Sequence, residues 1–180
     1  MCRACRNRYG LTSLPLGPAD HVESEFGDEQ VGKGGKLIQI TIPGEPIAKN
    51  RPRFARRGKF VKTYSDQQTE EGKWMYFAQQ QIAGPLITEP LSVDLVFFIK
   101  RPRSHYGTGR NASTLKPSAP KWPENSKDTD NYIKFALDCL NNVLYDDDHR
   151  VIRVMGIKQY SDYPRTEIVA MRMDEILEAA

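Results

Sequence analysis

The sequence predicts an α+β fold, or mixed α/β fold, in which a single small sheet carries two main helices. Several short segments place apolar residues at every second position, as strands with one buried face do. Two longer segments repeat apolar residues at helical spacing. Their order along the chain is strand, helix, strand, long loop, helix and two strands. With 180 residues, of which 39% are hydrophobic and 27% charged, the chain most simply forms one core.

The first strand and the first helix are predicted from periodicity and from the residues that interrupt it. Isoleucines alternate over residues 37–42, and the strand ends at Pro43-Gly44. Residues 44–64 are basic and contain two prolines, so we expect a loop or an irregular hairpin. The sequence Ser65-Asp66-Gln67-Gln68 has the form of a capping box and predicts a helix that runs to about Ala83. The expected inner face of this helix comprises Trp74, Phe77, Ala78 and Ile82.

The second half of the chain opens with the clearest strand pattern, over residues 91–100. Residues 101–127 then form a proline-containing segment that is too long for an ordinary connection, which favours a functional loop. The second main helix is predicted over about 130–142. Strands at about 150–160 and 165–173 complete the domain.

The N-terminal segment differs from the rest of the chain. Residues 1–35 have no sustained apolar periodicity, so we predict a disordered extension before a single domain over 36–180. Cys2 and Cys5 form a CxxC that fits a chance pair better than half of a zinc site, and Cys139 is expected to be buried and inert. No apolar stretch approaches the roughly 18 residues that span a membrane, so a cytoplasmic location without membrane contact is expected.

An acidic motif is the most informative part of the sequence. Six carboxylates and one lysine fall within the 21 residues 128–148 of a chain with a net charge of +3. They are Asp128, Asp130, Lys134, Asp138, Asp146, Asp147 and Asp148. Carboxylates at this density repel one another unless a cation lies between them, and hard oxygen ligands suit Mg²⁺ or Mn²⁺.

The spacing inside the motif predicts how it is assembled. Asp130, Lys134 and Asp138 are spaced i, i+4 and i+8, so they share one helical face. Asp128 lies just upstream, and the run 146–148 follows the helix by a short connection that can deliver a third carboxylate. The lysine can hold the scissile phosphate or the attacking water, or stabilise charge in the transition state.

Basic residues flank this acidic motif on both sides. Residues 49–63 contain seven basic residues and no acid, and residues 100–127 contain seven more against one glutamate. A basic surface holds a polyanion while a metal takes up charge at phosphorus, so the leading hypothesis is a metal-dependent nuclease. The residues expected to contact DNA are Lys49, Arg51, Arg53, Arg101, Arg103, Lys127 and Lys158.

Other interpretations of the same residues are simpler. Asp128 and Asp130 can cap a helix, the i, i+4 series can be a surface ion-pair ladder, and residues 146–148 can be a solvated turn. Each explains its own residues, but together they do not explain the basic flanks. Two further classes remain open, a non-catalytic DNA-binding module and a magnesium-dependent phosphohydrolase of small nucleotides. The basic flanks argue against the second of these.

The motifs resemble the RusA family of Holliday junction resolvases, a group common in phages and prophages. Three patches carry the resemblance: the opening turn at residues 43–53, the pattern Asp128-x-Asp130-Asn131-x-x-Lys134-x-x-x-Asp138-x-Leu140-Asn141, and Tyr145-Asp146-Asp147-Asp148 with Val151. Lys127, where proline is frequent, and His149-Arg150 depart from the family pattern without removing a catalytic group.

The resemblance implies an activity, partners and roles for single residues. It implies a homodimer that binds four-way DNA junctions and nicks paired strands with Mg²⁺ or Mn²⁺, in DNA recombination or repair. It implies that Asp128, Asp130 and Asp148 are catalytic metal ligands, with Asp147 as the second choice for the third acid. It also implies that Lys134 is the catalytic lysine.

Overall fold

The computed structural model describes residues 37–51, 53–57, 60–64 and 67–178, and within 53–57 and 60–64 only the backbone. The predicted N-terminal extension and the Cys2–Cys5 pair lie outside the described residues. None of the helices in these ranges is long and apolar enough to cross a bilayer.

The described chain forms six strands and three helices around one main sheet. In chain order they are β1 (Ile38–Pro43), β2 (Arg53–Arg57), β3 (Phe60–Tyr64), α1 (Gln68–Gln79), β4 (Leu91–Lys100), α2 (Thr129–Leu140), β5 (Val151–Ser161), β6 (Arg165–Arg172) and α3 (Met173–Glu178). The sheet has the order β1-β6-β4-β5, with β4 parallel to β5 and antiparallel to β6. Strands β2 and β3 form a separate antiparallel hairpin. The predicted α+β fold with one mixed sheet is therefore confirmed.

The core lies between the sheet and helices α1 and α2. Alternate residues of β4 are buried because this central strand has neighbours on both edges and helices over one face. They are Leu91, Val93, Leu95, Phe97 and Ile99. Phe97 packs on Tyr132 of α2 with ring centroids 5.2 Å apart, and Trp74 of α1 meets Phe135 of α2 edge-on at 6.3 Å. These aromatic contacts hold α2 between β4 and α1.

A glycine in β5 lets α2 approach the sheet closely. A Cβ added at Gly156 would lie 2.6 Å from Cδ1 of Ile133 and 3.4 Å from Cγ2 of Thr129. The first turns of α2 therefore rest directly on the β5 backbone. This packing fixes the end of the helix that carries the first carboxylates of the acidic motif.

Helix α1 differs from its prediction in length and orientation. It ends at Gln79 rather than near Ala83, and Phe77, expected on the inner face, is 38% exposed. Just beyond this end, a side chain bonds to the backbone of β1. The Gln81 side chain accepts a hydrogen bond from Thr41 N and donates one to Thr41 O, both 2.9 Å, in the manner of a neighbouring strand. Trp74 and Ala78 are buried as expected.

The remaining boundaries depart from the prediction by small amounts. Helix α2 begins at Thr129 and ends at Leu140, and the last two strands end at Ser161 and Arg172. The short helix α3 was not predicted. The basic segment 44–64 contains the β2–β3 hairpin, one of the two expected alternatives. Cys139 is buried as predicted, and burial raises the pKa of its thiol to about 12, which makes it unreactive at neutral pH.

Candidate active site

Asp128 occupies the cap position at the start of α2 without capping the helix. Its backbone is extended, with φ −64° and ψ 142°, and its carbonyl oxygen accepts a hydrogen bond from the amide of Asn131. Its carboxylate makes no capping hydrogen bond. The residue is exposed, so this carboxylate is available to a ligand.

Asp130 and Lys134 form an ion pair on the exposed face of the same turn. Lys134 Nζ donates to Asp130 Oδ2 at 3.0 Å, and the two side chains are 63% and 61% exposed. The hydrogen bond from Lys134 lowers the pKa of Asp130, so the carboxylate is charged at neutral pH. Exposed i, i+4 ion pairs of this kind are weak because water screens the two charges. An ion or a phosphate can therefore separate these partners at little cost.

Asp146, the first acid after α2, is neutralised by an arginine. Arg150 donates from Nε to Oδ1 at 2.8 Å and from its terminal nitrogen to Oδ2 at 2.7 Å. This two-point bond lowers the pKa of Asp146 to about 2. Because both of its oxygens are engaged, Asp146 is the member of the run least suited to hold a cation.

Asp147 and Asp148 behave as a pair. The Asp147 carboxylate accepts hydrogen bonds from the amide of His149 at 3.1 Å, and His149 Nδ1 lies 3.0 Å away. The bond from this amide is the main cause that lowers the pKa of Asp147. A hydrogen bond with Asp147, partial burial and the negative charge of Asp147 raise the pKa of Asp148. Of these two carboxyls, Asp148 therefore holds a proton more readily than Asp147.

The last turn of α2 is held by a lysine from a distant loop. Lys49 Nζ lies 2.8 Å from Asp138 Oδ2 and 3.0 Å from Oε1 of Glu71 on α1. Burial works to lower the pKa of Lys49, but its hydrogen bonds to the two carboxylates raise it. The Lys49 amide also donates to the carbonyl of Asn131 at 2.8 Å. Asp138, predicted to share a face with Lys134, thus pairs with Lys49.

The structure does not gather the acids into one closed cluster. Among the described residues, no group of three His, Cys, Asp or Glu side chains lies close enough to hold a metal ion. The donor chemistry nevertheless fits Mg²⁺, which proteins often bind through one or two carboxylates together with waters and a phosphate. Exposed carboxylates at the start of α2 and at residues 147–148 provide such donors.

Two of the expected DNA-contacting residues stand beside the acidic motif. Lys158 on β5 donates to the carbonyl oxygen of Lys127 at 2.9 Å, directly before Asp128. Lys127 itself is exposed and lines a cavity of about 470 Å³ with Glu45, Asn50 and other residues. This part of the surface therefore carries positive charge next to the first carboxylates.

A second basic area lies in the loop after β4. Arg101 stabilises the loop, since it donates to the Pro120 carbonyl at 2.9 Å and lies over the Tyr160 ring at 4.2 Å. Arg103 has no ion-pair partner among the described residues and lines a cavity of about 420 Å³ with Lys100 and Tyr106. Tyr106 donates to Asp162 at 2.7 Å, which ties the loop to the turn after β5.

The last expected DNA-contacting residues lie in the first basic run. Arg51 is exposed, and the side chain of Arg53 lies outside the described residues.

Sequence reasoning missed the residues that anchor the loop before β2. Gln67 Nε2 donates to Ala48 O at 2.9 Å, and Gln67 Oε1 accepts from Asn50 N at 2.7 Å. Glu71 completes the bond to Lys49 from the next turn of α1. No local sequence pattern indicates these contacts, because a polar residue at the start of a helix can be exposed or can bond to another segment.

Comparisons with known proteins cover most of the described domain. The family model "Endodeoxyribonuclease RusA" matches residues 43–170, a range that contains α2, the loop before it and the acids after it. The chain is also similar to "Uncharacterized protein YqaN" of Bacillus subtilis (strain 168), with 33% identity over 142 residues. That alignment covers 73% of this chain and 94% of YqaN.

Proposed function

This chain belongs to the RusA endodeoxyribonuclease family, and on that premise we propose that it is a divalent-metal-dependent enzyme that resolves four-way or branched DNA by paired nicks. The proposed setting is DNA recombination or repair. The observation that carries the proposal is the combination, inside the matched range, of exposed carboxylates on α2 with basic residues on both sides of them.

The proposed metal ligands are Asp128, Asp130 and Asp148, with Asp147 as the alternative to the last. The exposure of the first two, and the absence of a capping bond at Asp128, support this assignment. Bound Mg²⁺, or Mn²⁺, supplies a water of lowered pKa and takes up charge at the phosphate. The contribution of the chain is to hold two carboxylates on the rigid first turn of α2, which the packing of Ile133 against Gly156 immobilises.

Lys134 is proposed as the catalytic lysine. Its ammonium lies one helical turn from Asp130 and is 63% exposed, so it can leave its carboxylate partner and donate hydrogen bonds to a phosphate oxygen. A fixed positive charge there stabilises the negative charge that develops when the phosphodiester is attacked. Its weak exposed ion pair keeps the side chain near the site before DNA binds.

The proposed DNA-binding surface combines both basic areas. Lys127 and Lys158 border the carboxylates, and Arg103 belongs to the loop after β4. Arg51, which is exposed, extends the proposed surface toward β2, and Arg53 is assigned to it from the basic run in the sequence alone. Arg101, which is bonded to Pro120 and stacked on Tyr160, contributes its charge and supports the loop. Such contacts to phosphates position the DNA without reading its sequence.

We further propose that the enzyme works as a homodimer. A four-way junction presents two symmetry-related strands, and both must be nicked before the complex dissociates. A two-fold dimer supplies two acidic motifs related by the same symmetry, whereas one chain carries a single motif. Sedimentation of the protein with and without a junction tests this, and a monomer that nicks both strands in one encounter contradicts it.

The decisive experiment compares a synthetic four-way junction with a linear duplex of the same sequence, each with and without Mg²⁺. We expect paired nicks in the junction only when Mg²⁺ is present, and little cleavage of the linear duplex. Asp130→Asn serves as the inactive control. Tight junction binding without cleavage under any divalent metal would identify a non-catalytic DNA-binding module.

A further inference from the structure

Lys49 lies along the acidic face of α2 and contacts both of its ends. Its amide donates to the carbonyl of Asn131 in the first turn at 2.8 Å. Its ammonium lies 2.8 Å from Asp138 in the last turn. These two attachment points are seven residues apart, or about 10 Å along a helix that rises about 1.5 Å per residue.

The loop that carries Lys49 is itself fixed to α1. Gln67 holds the backbone of Ala48 and Asn50 with bonds of 2.9 Å and 2.7 Å, one on each side of Lys49. Glu71 of α1 binds the ammonium at 3.0 Å. One lysine therefore ties the acidic helix to α1 through three bonds of its own, with Gln67 holding its two neighbours.

The side-chain part of this bridge links the last turn of α2 to α1. Lys49 Nζ lies 2.8 Å from Asp138 Oδ2 and 3.0 Å from Glu71 Oε1, so one ammonium joins a carboxylate of each helix. Without this ammonium, the two carboxylates lose their common partner and repel each other.

We propose that Lys49 is a positioning residue of this nuclease, which fixes the acidic face of α2 relative to α1, rather than a residue that contacts DNA phosphates. This inference rests on the proposed function. It differs from the expectation drawn from the basic run, in which Lys49 and its neighbours act alike. In the structure its ammonium is occupied by two carboxylates, so little of its charge is available to a phosphate.

Arg51 offers a matched control two residues away. It belongs to the same basic run, is exposed, and makes no ion pair within the described part of the chain. The experiment compares Lys49→Met with Arg51→Met in single-turnover cleavage of a four-way junction at saturating protein. Junction titrations at several salt concentrations accompany the cleavage assay.

Lys49→Met is expected to lose cleavage rate, whereas Arg51→Met is expected to lose junction affinity. Lys49→Met should cleave about 10–100-fold more slowly, because the helix that carries the catalytic carboxylates loses its side-chain link to α1, with unchanged junction affinity and salt dependence. Arg51→Met should lose affinity, with a salt slope reduced by about one, and cleave normally once saturated. Lys49→Arg, which can still bridge both carboxylates, should recover most of the rate.

Amide hydrogen exchange and unfolding midpoints show, independently of cleavage, whether the variants are folded. Amide hydrogen exchange should increase at Lys49 and in α2 of Lys49→Met but not of Arg51→Met, while both unfolding midpoints stay near that of wild type. If Lys49→Met does not fold, Glu71→Gln, which weakens the same bridge from α1, should lower the cleavage rate in the same direction by a smaller factor.

The outcomes separate this role from the function on which it rests. Wild-type protein that cleaves no branched DNA overturns both. Active wild type, together with a Lys49→Met variant that loses affinity and salt dependence as Arg51→Met does, overturns the positioning role alone. A Lys49→Met variant that cleaves at the wild-type rate also overturns it.

Discussion

The two ends of α2 carry similar charged residues that have different partners. At the first turn, Asp130 and Lys134 form a single ion pair that is more than 60% exposed on both sides. At the last turn, Asp138 is bound by Lys49, and Leu140 and Cys139 are fully buried beside it. The first turn therefore offers charges that a ligand can recruit, while at the last turn the charge of Asp138 is already paired with a lysine that is bonded to α1. A count of acids and lysines in the sequence does not separate these roles.

The largest effect on cleavage is expected when the exposed acids are replaced. We expect Asp128→Asn, Asp130→Asn and Asp148→Asn each to lower cleavage by on the order of 100-fold or more. Junction binding should be unchanged or tighter, because a negative charge is removed from a polyanion site. Because the first two side chains are exposed, their unfolding midpoints should stay near wild type.

Asp147→Asn sharpens the same test at the late acids. Asp147→Asn should lower the cleavage rate less than Asp148→Asn does. If it lowers the rate more, the third metal ligand is Asp147 rather than Asp148. If one of the other three variants cleaves at the wild-type rate, the residue that it replaces is not part of the site. Junction-nicking rates, paired with binding titrations of the same proteins, make the comparison.

The buried end of α2 should respond in the opposite manner. Leu140 is 0% exposed, so Leu140→Ala should lower the free energy of unfolding by about 2–5 kcal/mol. Leu177, which is 69% exposed on α3, is the matched control, and its replacement by alanine should change stability by less than about 0.5 kcal/mol. Urea unfolding of both variants checks this. Equal losses would contradict the contribution that the burial of Leu140 makes to stability.

Just after the last turn of α2, the Asp146–Arg150 pair predicts a dependence of stability on pH. The hydrogen bonds from Arg150 lower the pKa of Asp146 from 3.8 to about 2 in the folded protein. A lowered folded pKa means that the pair stabilises the fold above the unfolded value. That contribution is lost as the pH falls from about 4 to about 2.

Denaturant midpoints measured from pH 6 to pH 2 test this dependence. Asp146→Asn should be less stable than wild type at pH 6, and the two proteins should converge near pH 2. Asp174→Asn, at an exposed aspartate that makes no ion pair with the described residues, should follow the wild-type curve throughout. A constant gap between Asp146→Asn and wild type would mean that the ion pair is not the cause.

Local patterns were sufficient for most of the fold and for placing Asp130 and Lys134 on one exposed face of α2. Strand β4 was predicted because burial on one face imposes a period of two, and α2 because its apolar residues repeat at helical spacing. The bridge from Lys49 to Asp138 was not predicted, since nothing near either residue indicates its partner. Partner choice depends on how α1 packs on α2. The predicted burial of Phe77 was wrong for the same reason, because the packing of that helix buries Trp74 and Ala78 and leaves Phe77 38% exposed.

The smallest expected effect concerns the basic loop, which is remote in sequence from both ends of α2. Arg103 lines the cavity after β4 without an ion-pair partner among the described residues, so Arg103→Ala should weaken junction affinity modestly and lower the salt slope by about one. Cleavage at saturating protein should not change, because this arginine lies outside the acidic motif.

Arg110 on the same loop is exposed and lies outside that cavity, which makes it the control. Titrations of a fluorescent junction at several salt concentrations measure both variants. If Arg110→Ala loses as much affinity and slope as Arg103→Ala, the loop attracts DNA through its overall charge, and the cavity has no special part in binding. If Arg103→Ala loses more affinity and slope than Arg110→Ala, Arg103 contacts a DNA phosphate at the cavity. This contact is separate from the carboxylates at the start of α2.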